Sequence, residues 1–360
     1  MGVYTSINDG TAHFQPTIYT GNGNNGKVIT NYGNSNLQPD WLWGKCRNLT
    51  QNHNVFDTSR GLSSRLTADQ TDAANSDSTT ITAVSSDGFT LGSSNNLNNA
   101  DDDFVVWQWK ANGGTTSSNS SGSITSSVQV NSTAGFSIVT YTGTGSNATV
   151  GHGLGTAPQT VLIKKYGTGG SNRAWIMYME VLGNTKALFL NDSDPEYTLT
   201  DAFNSTSPTS TTFSIGTNGR CNDSGEGYVA YCFAAKQGFS RFGRYEGNGN
   251  GDGKFVYTGF KPAFVMIKKT SGSEDWGMLD NQRGTPFSSF TAFNVLNRFL
   301  YANLNYAEAT TQTPADFLSN GFKLRNTDGK WNGTGPAQYI YWAFARNSFV
   351  SSTGVPTTAR

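Results

Sequence analysis

The feature that most constrains this chain is an internal repeat. The pattern Tyr-x-Gly-x-Gly begins three times, at Tyr19, Tyr141 and Tyr245. In each copy a proline follows, and six residues after it a lysine ends an apolar run; these lysines are Lys45, Lys164 and Lys268. Each copy closes with three aromatic residues at intervals of three and two: Phe104-Trp107-Trp109, Tyr228-Tyr231-Phe233 and Tyr339-Trp342-Phe344. Because recurrence of this kind indicates one structural unit used several times, we expect three divergent copies of one domain.

A further matched segment lies between the lysine and the closing aromatics. It reads VFDTSRG at 55–61, MYMEVLG at 177–183 and MLDNQRG at 278–284. The first and third copies share an Arg-Gly pair, whereas the second has Leu182-Gly183. The second copy therefore differs from the others at a position that the repeat otherwise keeps.

Local patterns within the copies predict strands. Runs such as VLIKK and FVMIKK are short, apolar and bounded by Gly, Pro and Asn, which favours buried strands. Glycine accounts for 42 of 360 residues and supplies tight turns. Helical periodicity is scarce, and Ala302 to Leu318 is the best stretch for one short helix. We predict an all-β protein of three tandem divergent domains, each sandwich-like or jelly-roll-like and roughly 90–110 residues long.

Changes in composition give the predicted boundaries. We expect an N-terminal arm at 1–16, the first β-domain at 17–111 and a Gly/Ser/Thr linker at 112–123. The second β-domain is expected at 124–237, the third at 238–346 and a C-terminal tail at 347–360.

Charge and hydropathy exclude several classes of function. Lys+Arg and Asp+Glu are both 25, so no basic field attracts nucleic acid. No apolar run is long enough to span a membrane, and the N-terminus does not read as a secretory signal. Three cysteines without paired spacing predict no disulfide framework, which is typical of a protein made in a reducing cytosol.

The residue types that could act in catalysis or bind a cofactor form no pattern that predicts an enzyme or a cofactor site. The segment Gly21 to Lys27 nearly matches a phosphate-binding loop, but Val28 stands where Ser or Thr must ligate magnesium. Glu274-Asp275 could form an acid pair beside Trp276, yet the other copies have no such pair. The acidic run Asp101-Asp103 offers oxygen ligands suited to calcium, although a solvated strand entry is the favoured interpretation.

Aromatic residues among polar loops could bind sugars by stacking. Three aromatic residues are candidates for this role: Trp331, Tyr306 and Trp43. For Trp43, core packing is an equally good explanation. No residue is predicted to be catalytic, to ligate a metal or to bind a cofactor.

Several segments of the repeat resemble a known group of proteins. YTGTGSNATVGHGLGTAPQTVLIKK, FVYTGFKPAFVMIKK, SDGFTL and DFLSNGFKLR are similar to segments of repeat-containing tail, tail-fibre or virion structural proteins of marine tailed bacteriophages such as cyanophages. FQPTIYTGNG, SNLQPDWLWGKCRN and DTSRG resemble the N-terminal copy in those proteins. The resemblance covers nearly the whole chain, but its motifs are turns and strands and transfer no functional residue.

The resemblance implies a virion protein assembled on the outside of a phage particle, with other virion proteins as partners. Phage appendages are commonly symmetric, so a homo-oligomer, by analogy a trimer, is expected. Two functions remain open. One is a tail-associated short fibre or knob that contacts host cell-surface glycan, and the other is a capsid decoration or head–tail bridge with a purely structural role. The absence of any coiled-coil heptad stretch favours a compact knob over a long fibre.

Overall fold

The computed structural model describes residues 4–283, 295–351 and 353–355, and almost all of its regular structure is β. The predicted all-β class is therefore confirmed. The described helices are short: α1 (Asn95–Asn98), α2 (Gly219–Asn222), α3 (Gly329–Asn332) and two 3-10 turns, Gly10–Ala12 and Glu180–Leu182. The helix expected between Ala302 and Leu318 is wrong, because Pro314 leads into a strand in which Ala315 and Phe317 are buried alternately.

The strands fall into three sets that follow the predicted copies, which we call units one, two and three. Unit one contains β1 (Phe14–Thr20), β2 (Lys27–Thr30), β3 (Trp41–Cys46), β4 (Asn54–Asp57), β5 (Ser64–Thr67), β6 (Asn75–Ser76), β7 (Ile81–Ser85), β8 (Gly88–Leu91) and β9 (Asp103–Trp109). Unit two contains β10 (Ser117–Asn119), β11 (Ser126–Asn131), β12 (Phe136–Thr142), β13 (Ala148–Gly151), β14 (Thr160–Lys165), β15 (Ile176–Met179), β16 (Lys186–Phe189), β17 (Tyr197–Thr198), β18 (Thr212–Ile215) and β19 (Gly227–Phe233). Unit three contains β20 (Ser240–Glu246), β21 (Phe255–Tyr257), β22 (Phe260–Lys269), β23 (Gly277–Asp280), β24 (Val295–Leu296), β25 (Leu300–Tyr301), β26 (Ala315–Leu318), β27 (Gly321–Leu324) and β28 (Gln338–Ser348).

Each unit has one large antiparallel sheet, the inner sheet, with the same central strand order. The order is β1-β9-β3-β4 in unit one, β12-β19-β14-β15 in unit two and β20-β28-β22-β23 in unit three. A smaller outer sheet covers each one, formed by β2-β8-β7, β13-β18 and β21-β27-β26-β24. Two stacked antiparallel layers in every unit give the sandwich-like architecture.

The register of the inner sheets explains why the repeat keeps its tyrosine and the first of its closing aromatic residues. The tyrosine of each Tyr-x-Gly-x-Gly pattern lies directly opposite the first closing aromatic, as Tyr19↔Phe104, Tyr141↔Tyr228 and Tyr245↔Tyr339. Their rings stack with centroids 5.5, 5.3 and 4.8 Å apart. Cross-strand aromatic pairs of this kind fix the register of a sheet.

The inner sheets are buried on both faces, which is unusual for antiparallel sheets. Every residue of β3 and β14 is buried, including their lysines. One face of the sheet in unit two packs on its outer sheet through residues such as Val161 and Phe213. The other face joins one continuous core that contains residues of all three units, among them Trp41 and Leu162. The apolar runs show no alternation of apolar and polar residues because both faces of these strands are buried.

The segments that connect the units are held by hydrogen bonds. Residues before β1 pack on unit three, where Ile7 is buried and Asp9 bridges to Asn347. Around the start of the segment predicted as a linker, the backbone N–H groups of Ala111, Gly113 and Gly114 donate to the Asp40 carboxylate. The strand β10 follows and pairs with β11. The predicted domain boundaries stay predictions, since shared packing does not reveal which parts fold independently.

Candidate functional site

The Gly-x-Gly turns, of which the first nearly matches a phosphate-binding loop in sequence, bind side chains of the protein itself. In each unit an asparagine at the end of the short helix donates through Nδ2 into this turn region: Asn98 to Asn24 O, Asn222 to Ser146 O and Asn332 to Asn250 O. Their Oδ1 atoms accept the N–H groups of Asn22, Thr144 and Asn248. These turns are therefore structural, because their backbone donors are already satisfied.

The repeated tyrosine belongs to the same arrangement. Its hydroxyl donates to the carbonyl of the residue before that asparagine: Tyr19 to Leu97, Tyr141 to Cys221 and Tyr245 to Trp331. Sequence reasoning missed the asparagine, although it stands six, six and seven residues before the first closing aromatic.

At the centre of the molecule the last closing aromatics of the three units meet. Ring centroids are 6.5 Å apart for Trp109–Phe233, 5.5 Å for Trp109–Phe344 and 5.6 Å for Phe233–Phe344. Each contacts both of the others, so the units surround one point in a pseudo-threefold arrangement.

Around this centre, the middle closing aromatic of each unit reaches into the next unit. Tyr231 Oη donates to Asp57 Oδ2 at 2.7 Å, Trp107 Nε1 to Asp280 Oδ2 at 2.9 Å, and Trp342 Nε1 to Met179 Sδ at 3.2 Å. The three acceptors occupy the same register position, opposite Trp41, Phe264 and Thr160 respectively. The contacts run from unit two to one, one to three and three to two, which closes the ring.

Two of these three contacts contain a buried ion pair. Asp57 binds Arg60 at 2.6 Å, and Asp280 binds Arg283 at 2.5 Å. Arg283 also pairs with Glu308 at 3.0 Å. Burial opposes ionisation of Glu308, but Arg283 and Arg47 outweigh it and hold the pKa of this carboxyl below its usual value. The Arg-Gly landmark is thus explained by its arginine, while Gly284 lies outside the described residues.

A second set of ring-nitrogen contacts also crosses between units. Trp175 Nε1 donates to Thr67 O at 2.9 Å, and Trp276 Nε1 donates to Phe189 O at 3.0 Å. His53 holds the matching position in unit one, with Nε2 2.9 Å from Tyr301 O. Because His53 Nδ1 accepts from Trp43 Nε1, its proton is on Nε2, which donates to the carbonyl. Burial lowers the pKa of His53 well below its usual value.

The repeated lysines are buried and donate to carbonyl oxygens. Lys164 Nζ donates to Thr71 O of unit one at 2.7 Å, and Lys268 Nζ donates to Ser193 O of unit two at 3.0 Å. Lys45 Nζ donates to Cys46 O at 2.7 Å. Burial lowers the pKa of Lys45 and Lys268 to about 8 and that of Lys164 to about 7. These lysines bind loops together and have no access to a substrate.

Two of the three predicted sugar-stacking residues lie in the core. Trp331 is fully buried in α3, and its indole packs against β23 at Gly277, where a Cβ would be 1.9 Å from the ring. Trp43 is buried and bonded to His53. Tyr306 is 57% exposed and lies beside the contact between units one and three, where Gln51 N–H donates to Asn305 O. Of these three candidates, only Tyr306 is exposed enough to stack on a ligand.

Three of the five acidic candidates accept hydrogen bonds from protein side chains. Asp102 accepts from Asn48 and Asn99, and Asp103 accepts from Thr20. Asp275 accepts from Asn303, which orders the loop beside Trp276. In the described part of the chain, no three His, Cys, Asp or Glu side chains gather in a way that could hold a metal ion.

The cysteines and the described helices add no site. All three cysteines are free and buried, and burial raises the pKa of each thiol, that of Cys221 to about 12. Within residues 4–283, 295–351 and 353–355, every helix is too short or too polar to cross a bilayer.

Comparison with known proteins identifies a family. A family model described as Domain of unknown function (DUF7483) matches residues 9–348 in a single span. The chain belongs to this family, which extends across all three units. No match is found among curated proteins, and none among solved structures.

Proposed function

We propose that the chain is a structural protein of a phage virion, carried on the outside of the particle as a tail-associated short fibre or knob that contributes to host-surface attachment. The observation that carries the proposal is the interlocked three-unit body around Trp109, Phe233 and Phe344. Its core residues and turn donors serve packing, which suits a rigid scaffold that presents loops and strand faces to partners.

The resemblance of the repeat segments to phage tail and virion proteins is the reason for placing the chain on a phage particle. The balanced charge of 25 cationic and 25 anionic residues agrees with partners other than nucleic acid. We propose other virion proteins as the docking partners. A homotrimer stays the expectation by analogy, although one chain already brings three equivalent sheets together, and sedimentation of the purified protein distinguishes the two states.

Localisation on intact particles tests the proposal. Antibody against the purified chain, seen by immunogold labelling or as an assigned density in cryo-electron microscopy, should mark the tail. The purified protein should also bind host cells saturably and block adsorption of the phage, whereas a β-sandwich protein of similar size should do neither.

Other outcomes decide against attachment. Labelling over the head, with no cell binding, would leave a capsid decoration or head–tail bridge with a structural role. Absence of the chain from purified particles would overturn the virion assignment itself.

A further inference from the structure

Unit three exposes two aromatic side chains on one face of a strand. In β21, Phe255 is 43% exposed and Tyr257 is 48% exposed, while Val256 between them is buried. Residues two apart on a strand point to the same side, so both rings lie on the outer face of the outer sheet.

The fold does not require these rings. Val256 pairs with Phe322, as Ile29 pairs with Phe89 in unit one and Val150 with Phe213 in unit two. By the same register, the positions of Phe255 and Tyr257 are held by Val28 and Thr30 in unit one and by Thr149 and Gly151 in unit two. Units one and two fold without an aromatic ring at either position, whereas unit three exposes two, which indicates a role specific to unit three.

Neighbouring groups hold the two rings in place. The Phe255 ring lies over Gly321, where a Cβ would be 2.8 Å from the ring. Tyr4 donates to Gly259 O at 2.8 Å, and its hydroxyl is 3.5 Å from that of Tyr257. The side chains therefore form a positioned platform with a phenol hydroxyl at its edge.

A cation borders the platform. The guanidinium of Arg241, an exposed residue, lies 5.6 Å from the centroid of the Tyr257 ring. Arg241 also hydrogen-bonds the Tyr341 hydroxyl, but among the described residues no carboxylate forms an ion pair with it, so its charge is not neutralised. A guanidinium binds a carboxylate through two parallel hydrogen bonds.

These features favour a sugar over a protein as the occupant. A stable protein interface needs about 800 Å² on each partner with a central apolar cluster, whereas two rings on one short strand match one or two pyranose rings. Aromatic faces stack on the C–H face of a pyranose, and the unpaired guanidinium selects an acidic one.

We propose that Phe255, Tyr257 and Arg241 form a binding site for an acidic saccharide of the uronic-acid type. The inference rests on the proposed role in surface attachment and names the class of ligand for it. The rings stack on the sugar and Arg241 binds its carboxylate.

Titration of the purified full chain with alginate tetrasaccharide tests the site, with maltotetraose as the neutral probe. We expect the uronate to bind and maltotetraose to bind at least about ten-fold more weakly. Phe255→Ala and Tyr257→Ala should each weaken uronate binding about ten-fold, and Arg241→Gln should remove the preference for the acidic probe. Tyr32→Ala removes a tyrosine of unit one that is 49% exposed and should leave binding unchanged.

Three results would overturn the site. They are no binding of alginate tetrasaccharide, binding that Phe255→Ala and Tyr257→Ala leave intact, and self-association that Tyr257→Ala abolishes, which would make a second copy of the chain the occupant. Thermal unfolding of each variant excludes misfolding as the cause. Particle localisation is measured separately, so loss of this site and loss of the attachment role are distinguishable.

Discussion

The contact from unit two to unit one and the contact from unit three to unit two are built on the same backbone positions with opposite chemistry. In the first, Asp57 binds Arg60 and accepts from the Tyr231 hydroxyl. In the second, Met179 takes the position of the aspartate and accepts from Trp342 through sulfur.

The exchange involves both members of the pair. Leu182 lies three residues after Met179, as Arg60 lies three residues after Asp57. An arginine without its carboxylate would be a buried unpaired charge, so the aspartate and the arginine are replaced together. The Leu182-Gly183 variant of the repeat is thus one half of a coupled change.

The comparison shows that the position held by Asp57 and Met179 must be filled by a side chain that accepts one hydrogen bond, while an ion pair there is optional. Replacing a buried ion pair with apolar residues of similar volume is often neutral or stabilising, whereas removing one partner is costly. Selective substitutions can separate these two effects.

The largest effect is expected for Asp57→Ala. Arg60 would lose its carboxylate partner and keep its hydrogen bonds to Ser64, and the Tyr231 hydroxyl would lose its acceptor. We expect the free energy of unfolding to fall by about 3–5 kcal/mol, measured by denaturant unfolding. Asp252→Ala, which removes an exposed ion pair with Lys323, should leave the unfolding midpoint unchanged.

The double variant Asp57→Met, Arg60→Leu copies unit two and sharpens the test. No charge remains buried at this contact, so the loss in free energy of unfolding should be at least about 2 kcal/mol smaller than for Asp57→Ala. A double variant as unstable as the single one would show that the ion pair itself, and not its unpaired half, holds the contact.

The contact from unit one to unit three should be less sensitive to the same change. In Asp280→Ala, Arg283 retains Glu308 at 3.0 Å and Met278 O at 3.0 Å, although Trp107 Nε1 loses its acceptor. We expect a loss of about 2–3 kcal/mol, smaller than for Asp57→Ala. A loss equal to that of Asp57→Ala would mean that Glu308 does not compensate the arginine.

The two indole contacts provide a test of equivalence. Trp175→Phe and Trp276→Phe each remove a hydrogen bond to a buried carbonyl and a small part of a buried ring. Each should lower the free energy of unfolding by about 2 kcal/mol, and the two values should agree. Unequal losses would show that the unit contacts differ in strength despite matching geometry.

The sequence allowed prediction of the strands but not of their assembly. Landmarks such as Tyr19, Lys45 and Trp107 mark strand positions because spacing along a strand is local information. The lysines could not be recognised as buried, since their partners, for example Thr71 O for Lys164, belong to another unit. The sequence makes Trp331 a candidate for sugar stacking, and only its packing on Gly277 reveals that it is buried.

The closed ring of contacts between the three units could not be predicted from the sequence either. A linear pattern states that three units exist, whereas the acceptor of Trp107 lies 173 residues away at Asp280. The saccharide site proposed on β21 could not be predicted from the sequence for a different reason. Phe255 and Tyr257 flank a buried valine, and only comparison with Val28 and Thr30 in a known register shows that their size is unnecessary for the fold.

The smallest predicted effect concerns pH and isolates the contact from unit one to unit three. His53 stands where the other units have Trp175 and Trp276, so only this ring contact can gain a proton. Burial holds the pKa of His53 well below that of an unfolded histidine, about 6.5, and the unfolded chain therefore binds more protons below that pH. Stability should fall as the pH drops below 6.5, by about 1 kcal/mol at pH 5.5. His53→Gln should lower stability at pH 7.5 and make this acid limb shallower in denaturant unfolding. The limb that remains comes from His13 and His152, whose pKa values burial also lowers. A limb that is unchanged in His53→Gln would place the titrating group elsewhere.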